Sequence, residues 1–275
     1  MFAHWISIKR QIPLVVHIAD YSPEFEHCSI ANVLRQASKL VCITEEMKSI
    51  YEQTLCKKDI EVLHNGAEEA CSEIASPPSV PFCENNPFVL CFIGGLFSYL
   101  HGDCIEDLFE AVSQIRQKYP WVEFHLYGQR QPTDFLEDLI HSDGFTHHGI
   151  VMPLNKKFEI MEKAHCFVIP SSFNDQNNSH YRYSFPTKLP ELIASGRPIL
   201  SYGPKETSTN RILEANSIGL RLNYRSIPKL VNILENLVTK YEESVSQFTS
   251  TSPTLMEKFS ADSVRQKLKK IVSLN

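Results

Sequence analysis

The chain has no CxxC pair of cysteines, although eight of its 275 residues are cysteine. Several cysteines lie inside apolar runs such as VLCFIGG. The eleven histidines also lack the spacing of a metal site, because the adjacent His147 and His148 would point in different directions from a strand or a helix. These absences argue against a disulfide framework and against a metal cofactor. They are typical of a cytoplasmic protein with reduced cysteines.

Excess positive charge and long apolar runs are also missing. The formal net charge is -5, which argues against broad binding of nucleic acid. No apolar run is long enough to span a membrane. The short run PLVVHIA is interrupted by His17 and has no small-residue cleavage site, so it does not read as a signal peptide. We expect a cytoplasmic protein, and peripheral attachment to the inner face of a membrane stays open.

Apolar strands alternate with amphipathic helices along most of the chain, and this pattern predicts α/β architecture with parallel sheets. Thr44 is placed to cap a helix over residues 45–55, with two glutamates in its first turn. The proline-rich stretch before residue 88 predicts a linker. The predicted units are residues 1–70, a linker over 71–87, a second domain over 88–250, and a C-terminal helix over 251–275 that packs back towards the first domain.

Ligands of parallel sheets bind at the carboxyl ends of the strands, near a switch in strand order. Three loops at such ends are unusual in composition: residues 94–102, 149–153 and 171–188. Gly94 and Gly95 follow the predicted strand FVLCFI and would let a phosphate approach the backbone. The alternative is an ordinary tight turn, since glycine ends many strands.

The segment SFPTKLPELIASGRPIL, residues 184–200, combines a proline turn with a short helix and then an apolar strand. A helix that begins near Lys188 would offer unpaired N–H groups to an anion, and Lys188 would add a full charge. Glu191 lies about one turn further along, on the same face. This arrangement suits a nucleoside diphosphate whose ribose hydroxyls meet the carboxylate. A surface loop before an ordinary helix is the alternative.

The same segment resembles the donor-binding motif of GT-B glycosyltransferases, in particular the retaining family 4, also called glycosyl transferases group 1. Other segments follow in the family's order: SKLVCITEEMKSIYE, EVLHNGA, CFIGGLF and GIVMPLNKKFEIMEKAHCFVIPS. The resemblance covers about residues 13–223. It implies two Rossmann-like domains with parallel sheets, of which the first is only partly present.

The resemblance also implies roles for individual residues. The catalytic candidates are Lys188, Glu191 and, in the first domain, Asp20. Lys188 would hold the diphosphate, Glu191 would accept the ribose hydroxyls, and Asp20 would face the donor sugar. The donor-binding set is Gly94, Gly95, His101, Gly149, Ile150, Arg182, Tyr183, Ser184, Phe185, Pro186, Thr187, Lys188 and Glu191, with Gly149 and Ile150 near the base.

Three positions depart from the family pattern. Tyr183 stands where the first glutamate of the Glu-x7-Glu pair is expected. Gly95 stands where an arginine usually follows the first glycine, and His101 replaces the lysine of a Lys-Gly pair. Two cations that would neutralise the leaving diphosphate are therefore replaced by uncharged residues or by histidine. Neutralisation of the leaving diphosphate is the main catalytic effect expected of such a site. Lys188, Arg182 and a protonated His101 are the candidates to compensate.

These observations favour a glycosyltransferase that moves a sugar from a nucleoside-diphosphate sugar to an unknown acceptor, such as a glycan or a lipid-linked sugar. The alternatives are a non-catalytic GT-B protein that binds a nucleotide sugar or a partner subunit, and a sugar-nucleotide epimerase. The short first domain predicts either a fragment or a partner chain that supplies the missing part.

Overall fold

The first part of the chain forms a three-stranded parallel sheet. The computed structural model describes residues 2–22, 28–57, 59–74, 81–129, 139, 141–151, 155–174, 178–251 and 253–273. The elements alternate as α1 (Phe2–Arg10), β1 (Val15–Ile18), α2 (Cys28–Gln36), β2 (Lys39–Cys42), α3 (Glu45–Leu55) and β3 (Ile60–Val62). The strand order is β1-β2-β3, with Val16 opposite Leu40 and Leu40 opposite Ile60. The central strand is nearly all buried, as expected for a parallel strand covered on both faces.

The second part forms a parallel sheet of six described strands in the order β6-β5-β4-β7-β8-β9. The strands are β4 (Phe88–Ile93), β5 (Val122–Tyr127), β6 (Phe145–His147), β7 (Cys166–Pro170), β8 (Ile199–Tyr202) and β9 (Leu220–Leu222). The helices among them are α4 (Ser98–Arg116), α5 (Asn155–Lys163), α6 (Asn178–Tyr183), α7 (Leu189–Ala194) and α8 (Ser208–Ala215).

The strand order of this second sheet reverses between β4 and β7. From β4 the chain proceeds to β5 and β6 on one side, and it then returns to build β7, β8 and β9 on the other. The loops that leave β4 and β7 consequently diverge and leave a crevice at the carboxyl edge of the sheet. Two of the three loops singled out in the sequence begin at this point.

Four helices close the chain: α9 (Ile227–Thr239), α10 (Tyr241–Thr251), α11 (Pro253–Lys258) and α12 (Ala261–Val272). The break between α11 and α12 is held by backbone hydrogen bonds from Ala67 N to Phe259 O (2.7 Å) and from Ala261 N to Ala67 O (3.1 Å). The α12 residues Val264 and Ile271 pack with Val41 and Leu63 of the first sheet. The C-terminal segment thus contacts the first part of the chain. The domain boundaries themselves stay a prediction.

The predicted alternation of strands and helices is present in both parts of the chain. Thr44 is the cap of α3, since its hydroxyl accepts from Met47 N at 3.1 Å. Helix α1 was not predicted, and its large apolar side chains Trp5 and Ile8 are 56% and 60% exposed. The last predicted helix is in fact two, α11 and α12, because Phe259 turns into the core between them.

Candidate functional site

The crevice at the strand switch contains two adjoining cavities, of about 320 and 250 Å³. They share six lining residues: Leu100, His101, Ile169, Pro170, Pro186 and Thr187. The smaller one is also lined by Gly94, Gly95 and Lys188. The larger one is also lined by Asp20, Ser184 and Phe185, so it opens towards the first sheet. The structure therefore brings nine of the predicted site residues to one crevice.

The turn after β4 is shaped by glycines, including one that the sequence analysis did not single out. Gly94 N donates to Tyr127 O at 2.8 Å, so the ends of β4 and β5 stay close. Gly128 follows β5 with φ +150°, and a Cβ there would lie 1.6 Å from Gly94 O. No other residue fits this approach without a shift of the backbone. The glycine that ends the run VEFHLYG was the available signal.

Lys188 reaches across the switch from the segment before α7. Its Nζ donates to Ile93 O, at the end of β4, over 3.0 Å. An ammonium carries three donors, and this contact uses one of them. Burial lowers the pKa of Lys188 from its usual value, while the neighbouring Glu191 carboxylate acts in the opposite direction. The result is a half-buried cation in the wall of the smaller cavity.

The N-terminus of α7 contributes less to anion binding than the sequence implied. The helix has only six residues, and Pro190 in its first turn has no N–H group. Leu189 N already donates to Pro186 O at 2.9 Å. Two of the backbone N–H donors at the start of α7 are thus unavailable to an anion. The positive charge at this point resides mainly in the Lys188 side chain.

Glu191 forms an ion pair instead of standing open in a cavity wall. Its Oε1 lies 2.6 Å from Lys157 Nζ, and the two side chains are 14% and 13% exposed. Lys157 comes from the first turn of α5 and was not predicted as a site residue. Within the described ranges, Glu191 lines neither of the two cavities. Its role towards a ribose stays a prediction.

His101 separates the two cavities and is neutral near pH 7. Burial lowers its pKa to about 4. Its ring lies against Phe92 and Tyr181, and Nδ1 is buried without a hydrogen-bond partner among the described residues. The suggestion that a protonated His101 replaces a missing cation is therefore not compatible with this environment. A neutral imidazole can still donate or accept one hydrogen bond.

Tyr183 and Arg182 face away from the crevice. The Tyr183 ring packs on Tyr21 with centroids 4.7 Å apart, and its carbonyl accepts from the Thr44 hydroxyl at 2.6 Å. Arg182 is exposed, and its carbonyl accepts from Arg211. Within the described part of the chain, neither residue lines the two cavities. Of the three proposed compensating cations, Lys188 is the one that is both at the crevice and charged, since His101 lines the crevice as a neutral ring.

Ser184 and Phe185 connect the crevice to the first sheet. Ser184 Oγ accepts from Tyr21 N at 3.2 Å, and its carbonyl accepts from Ser208 Oγ at 2.6 Å. Phe185 is 3% exposed and packs against His64 and Phe259. These contacts hold the proline turn at residues 186–187 against both parts of the chain.

Gly149 and Ile150 follow β6, two strands away from β4. Gly149 has φ +72°, its carbonyl accepts from Gly128 N at 2.8 Å, and Ile150 is 63% exposed. Neither lines the two cavities as far as the described residues define them. Residues 152–153 and 175–177 of the predicted ligand loops lie outside the described residues.

His180, which the sequence offers as a contact for phosphate or sugar, lines the larger cavity. Four polar side chains that the sequence did not indicate line it as well: Tyr181, Thr207, Ser208 and Thr209. Thr207 caps α8 through a 3.2 Å hydrogen bond from Asn210 N to its hydroxyl. The capping pattern T-S-T-N was the only local signal of this helix start. The hydroxyl groups give this cavity a lining that suits a polyhydroxylated ligand.

Other kinds of site find no support in the described residues. These contain no group of three or more His, Cys, Asp and Glu side chains able to hold a metal ion. None of the described helices has both the length and the apolar character needed to cross a membrane.

Two Rossmann-like units with parallel sheets, facing each other across a crevice at a strand switch, define a GT-B glycosyltransferase fold. Residues 87–239, more than half of the chain, match the family model of glycosyl transferases group 1, and the chain belongs to that family. A comparison with curated protein sequences finds no match.

Solved structures of this fold are similar over almost the whole chain. HepE from Anabaena, in complex with UDP and glucose, has a TM-score of 0.74 at 14% identity, and the match covers 98% of this chain and 74% of HepE. WaaG, a glycosyltransferase involved in lipopolysaccharide biosynthesis, has a TM-score of 0.67 at 15% identity, over 95% and 75%. A mutant of TarM from S. aureus, in complex with ligands that include UDP, has a TM-score of 0.68 at 16% identity, over 94% and 50%. At these identities the likeness shows the fold.

Proposed function

We propose that the crevice binds a nucleoside-diphosphate sugar and that the chain transfers the sugar to an acceptor hydroxyl, on a glycan or a lipid-linked sugar. The observation that carries this proposal is the Lys188 ammonium, held 3.0 Å from the end of β4 beside Gly94. A half-buried cation next to a glycine turn at the strand switch suits a diphosphate, since low dielectric strengthens its attraction to an anion.

The reaction breaks the bond between the anomeric carbon and the diphosphate oxygen, and it forms a bond from that carbon to the acceptor oxygen. The O–H bond of the acceptor breaks as well, and the leaving diphosphate takes up that proton. Negative charge develops on the leaving diphosphate, and Lys188 is the side chain placed to stabilise it. Asp20 lines the larger cavity, where the sugar would extend. The hydroxyl groups of Ser184, Thr207 and Ser208 line the same cavity. Retention of configuration and independence from metal follow the family resemblance.

The nucleoside would extend from Lys188 towards Glu191, with the base near Gly149 and Ile150. Glu191 carries one oxygen that accepts from Lys157, which leaves the other for ribose hydroxyls. The neighbour HepE was solved with UDP, which supports uridine diphosphate as the first nucleotide to test.

A protein that binds a nucleotide sugar without turnover is the second candidate. Gly95 and His101 stand at two positions where the family carries cations, and burial keeps His101 neutral. Arg182 faces solvent instead of the crevice. With Lys188 as the main positive charge at the diphosphate, leaving-group stabilisation is weaker than in a site with three cations.

The melting temperature with and without UDP, GDP or ADP tests binding. A ligand at one hundred times its Kd stabilises the folded chain by about 2.7 kcal/mol, so a rise of several degrees is expected with one of the three. No rise with any of them would contradict both candidates. Release of free sugar or a glycosylated product from the matching nucleotide sugar, measured with and without a chelator, then separates the transferase from the binder.

A further inference from the structure

The ion pair between Lys157 and Glu191 is unusual because both side chains are largely buried. They are 13% and 14% exposed, and Nζ lies 2.6 Å from Oε1. Removing two charges from water is costly, and such pairs persist where the geometry is good. The residue before it, Lys156, is exposed on the same helix. Burial of Lys157 therefore reflects its position in the fold and not the general character of α5.

The pair connects two segments that follow different strands of the second sheet. Lys157 lies in the first turn of α5, which follows β6, and Glu191 lies in the first turn of α7, which follows the loop after β7. Lys188 is close enough for both charges to influence its pKa, so the three side chains form one charged cluster. The cluster joins the predicted diphosphate cation to the predicted ribose acceptor.

Only one of the two Glu191 oxygens is engaged within the described ranges. Lys157 donates to Oε1, and no described residue donates to Oε2. A carboxylate offers about four lone-pair sites, so a held oxygen fixes the rotamer while the other remains able to accept.

We propose that Lys157 is a positioning residue for the nucleotide: it holds Glu191 by Oε1 so that Oε2 accepts the ribose hydroxyls. This inference rests on the proposed function, because it requires a nucleoside diphosphate in the crevice. It assigns to Lys157 a share of the selectivity for a ribonucleotide, although Lys157 itself does not touch the reacting atoms.

The test compares UDP with 2′,3′-dideoxy-UDP, which lacks the hydroxyl groups in question, by calorimetric titration. Replacing UDP by the dideoxy compound should weaken binding to the unaltered protein about tenfold, the size of a charge-assisted hydrogen bond. In Lys157→Met the affinity for UDP should fall about tenfold and that for dideoxy-UDP less than twofold. Lys157→Arg should keep most of the preference for UDP over dideoxy-UDP. Lys156→Met, the control at an exposed position, should keep all of that preference.

An equal loss for the two nucleotides in Lys157→Met, or no loss for either, would overturn the inference while the proposed function stands. If none of UDP, GDP and ADP binds to the unaltered protein, the proposed function is removed and this inference with it. If the protein prefers GDP or ADP, the test compares that nucleotide with its dideoxy analogue. If Lys157→Met does not fold, Lys157→Gln retains one donor for Oε1, and its preference between the two nucleotides should be intermediate.

Discussion

Lys188 Nζ donates a 3.0 Å hydrogen bond to the carbonyl oxygen of Ile93, a residue 95 positions earlier in the chain. Ile93 ends β4, and Lys188 stands at the start of α7, so the bond crosses the strand switch. It holds the ammonium against the glycine turn and leaves two of its donors for a ligand. The position of this charge is the basis of the proposed diphosphate site.

Lys188→Met should weaken UDP binding by about tenfold to a hundredfold, because a charge-assisted hydrogen bond contributes about 1.5–3 kcal/mol. Methionine keeps most of the side-chain volume, so the fold should be retained. Calorimetric titration measures the effect. Lys240→Met is the matched control, since Lys240 is exposed at the end of α9, away from the crevice, and unchanged affinity is expected. Equal losses in the two variants would refute the assignment.

Gly128→Ala should destabilise the fold more than Gly149→Ala. Both glycines have positive φ, +150° and +72°, but a Cβ at Gly128 would lie 1.6 Å from Gly94 O, whereas the space at Gly149 is free of described atoms within 4 Å. Backbone strain alone costs about 1 kcal/mol at Gly149. Because of the added clash, Gly128→Ala should lower the free energy of unfolding by about 3 kcal/mol or more. Urea unfolding of the two variants checks the order, and similar midpoints would contradict it.

Tyr183→Glu introduces the glutamate that the family pattern has at this position, and it should not improve donor binding. The Tyr183 ring packs on Tyr21, so a carboxylate there would lose aromatic contact and enter a half-buried apolar environment. We expect a melting temperature several degrees lower and no gain in UDP-sugar affinity. Tyr183→Phe, which retains the ring, should be close to neutral. A Tyr183→Glu protein that binds the donor more tightly would show that this side chain does face the crevice.

Stability should fall as the pH decreases from about 6.5 to about 4. Burial lowers the pKa of His165 to about 4, with Arg197 as a smaller cause. The unfolded chain therefore takes up a proton at higher pH than the folded chain, and acid favours unfolding across this window. His165 contributes on the order of 3 kcal/mol to the free energy of unfolding above pH 6.5, and this contribution is lost as the pH falls towards 4.

Urea unfolding at pH 7 and pH 4.5 measures this loss, with His165→Asn as the comparison. The asparagine oxygen can accept from Val89 N, as His165 Nδ1 does at 3.0 Å, but it does not titrate. The variant should lose less stability between the two pH values than the unaltered protein. The same loss in the two proteins would exclude His165 as a source of the acid sensitivity.

Local rules predicted most strands and helices of this chain. Apolar runs of four to six residues became strands, and Thr44 caps α3 because the hydroxyl satisfies a free N–H within three residues. The order of motifs also predicted the family and the GT-B fold, which the family match and the structural neighbours confirm. Helix α1 was not predicted, and two of its large apolar side chains, Trp5 and Ile8, are exposed instead of packed in the core.

Side-chain directions could not be predicted in this way. On the sequence, Asp107 is one more carboxylate of an amphipathic helix, yet it is 3% exposed and accepts from Arg225 and Tyr202. Tyr183 occupies a family site position but packs between the two parts of the chain. Lys157 gave no signal, because its partner lies 34 residues away.

The amino-acid sequence by itself determined the alternation of strands and helices, the family, and the stretch of chain that carries the candidate donor site. These depend on periodicity, caps and turns, which act over a few residues. Only the tertiary structure decided that Lys188 reaches Ile93, that Lys157 pairs with Glu191, and that His101 is neutral. Those properties depend on burial and on contacts between distant segments, which no local pattern records.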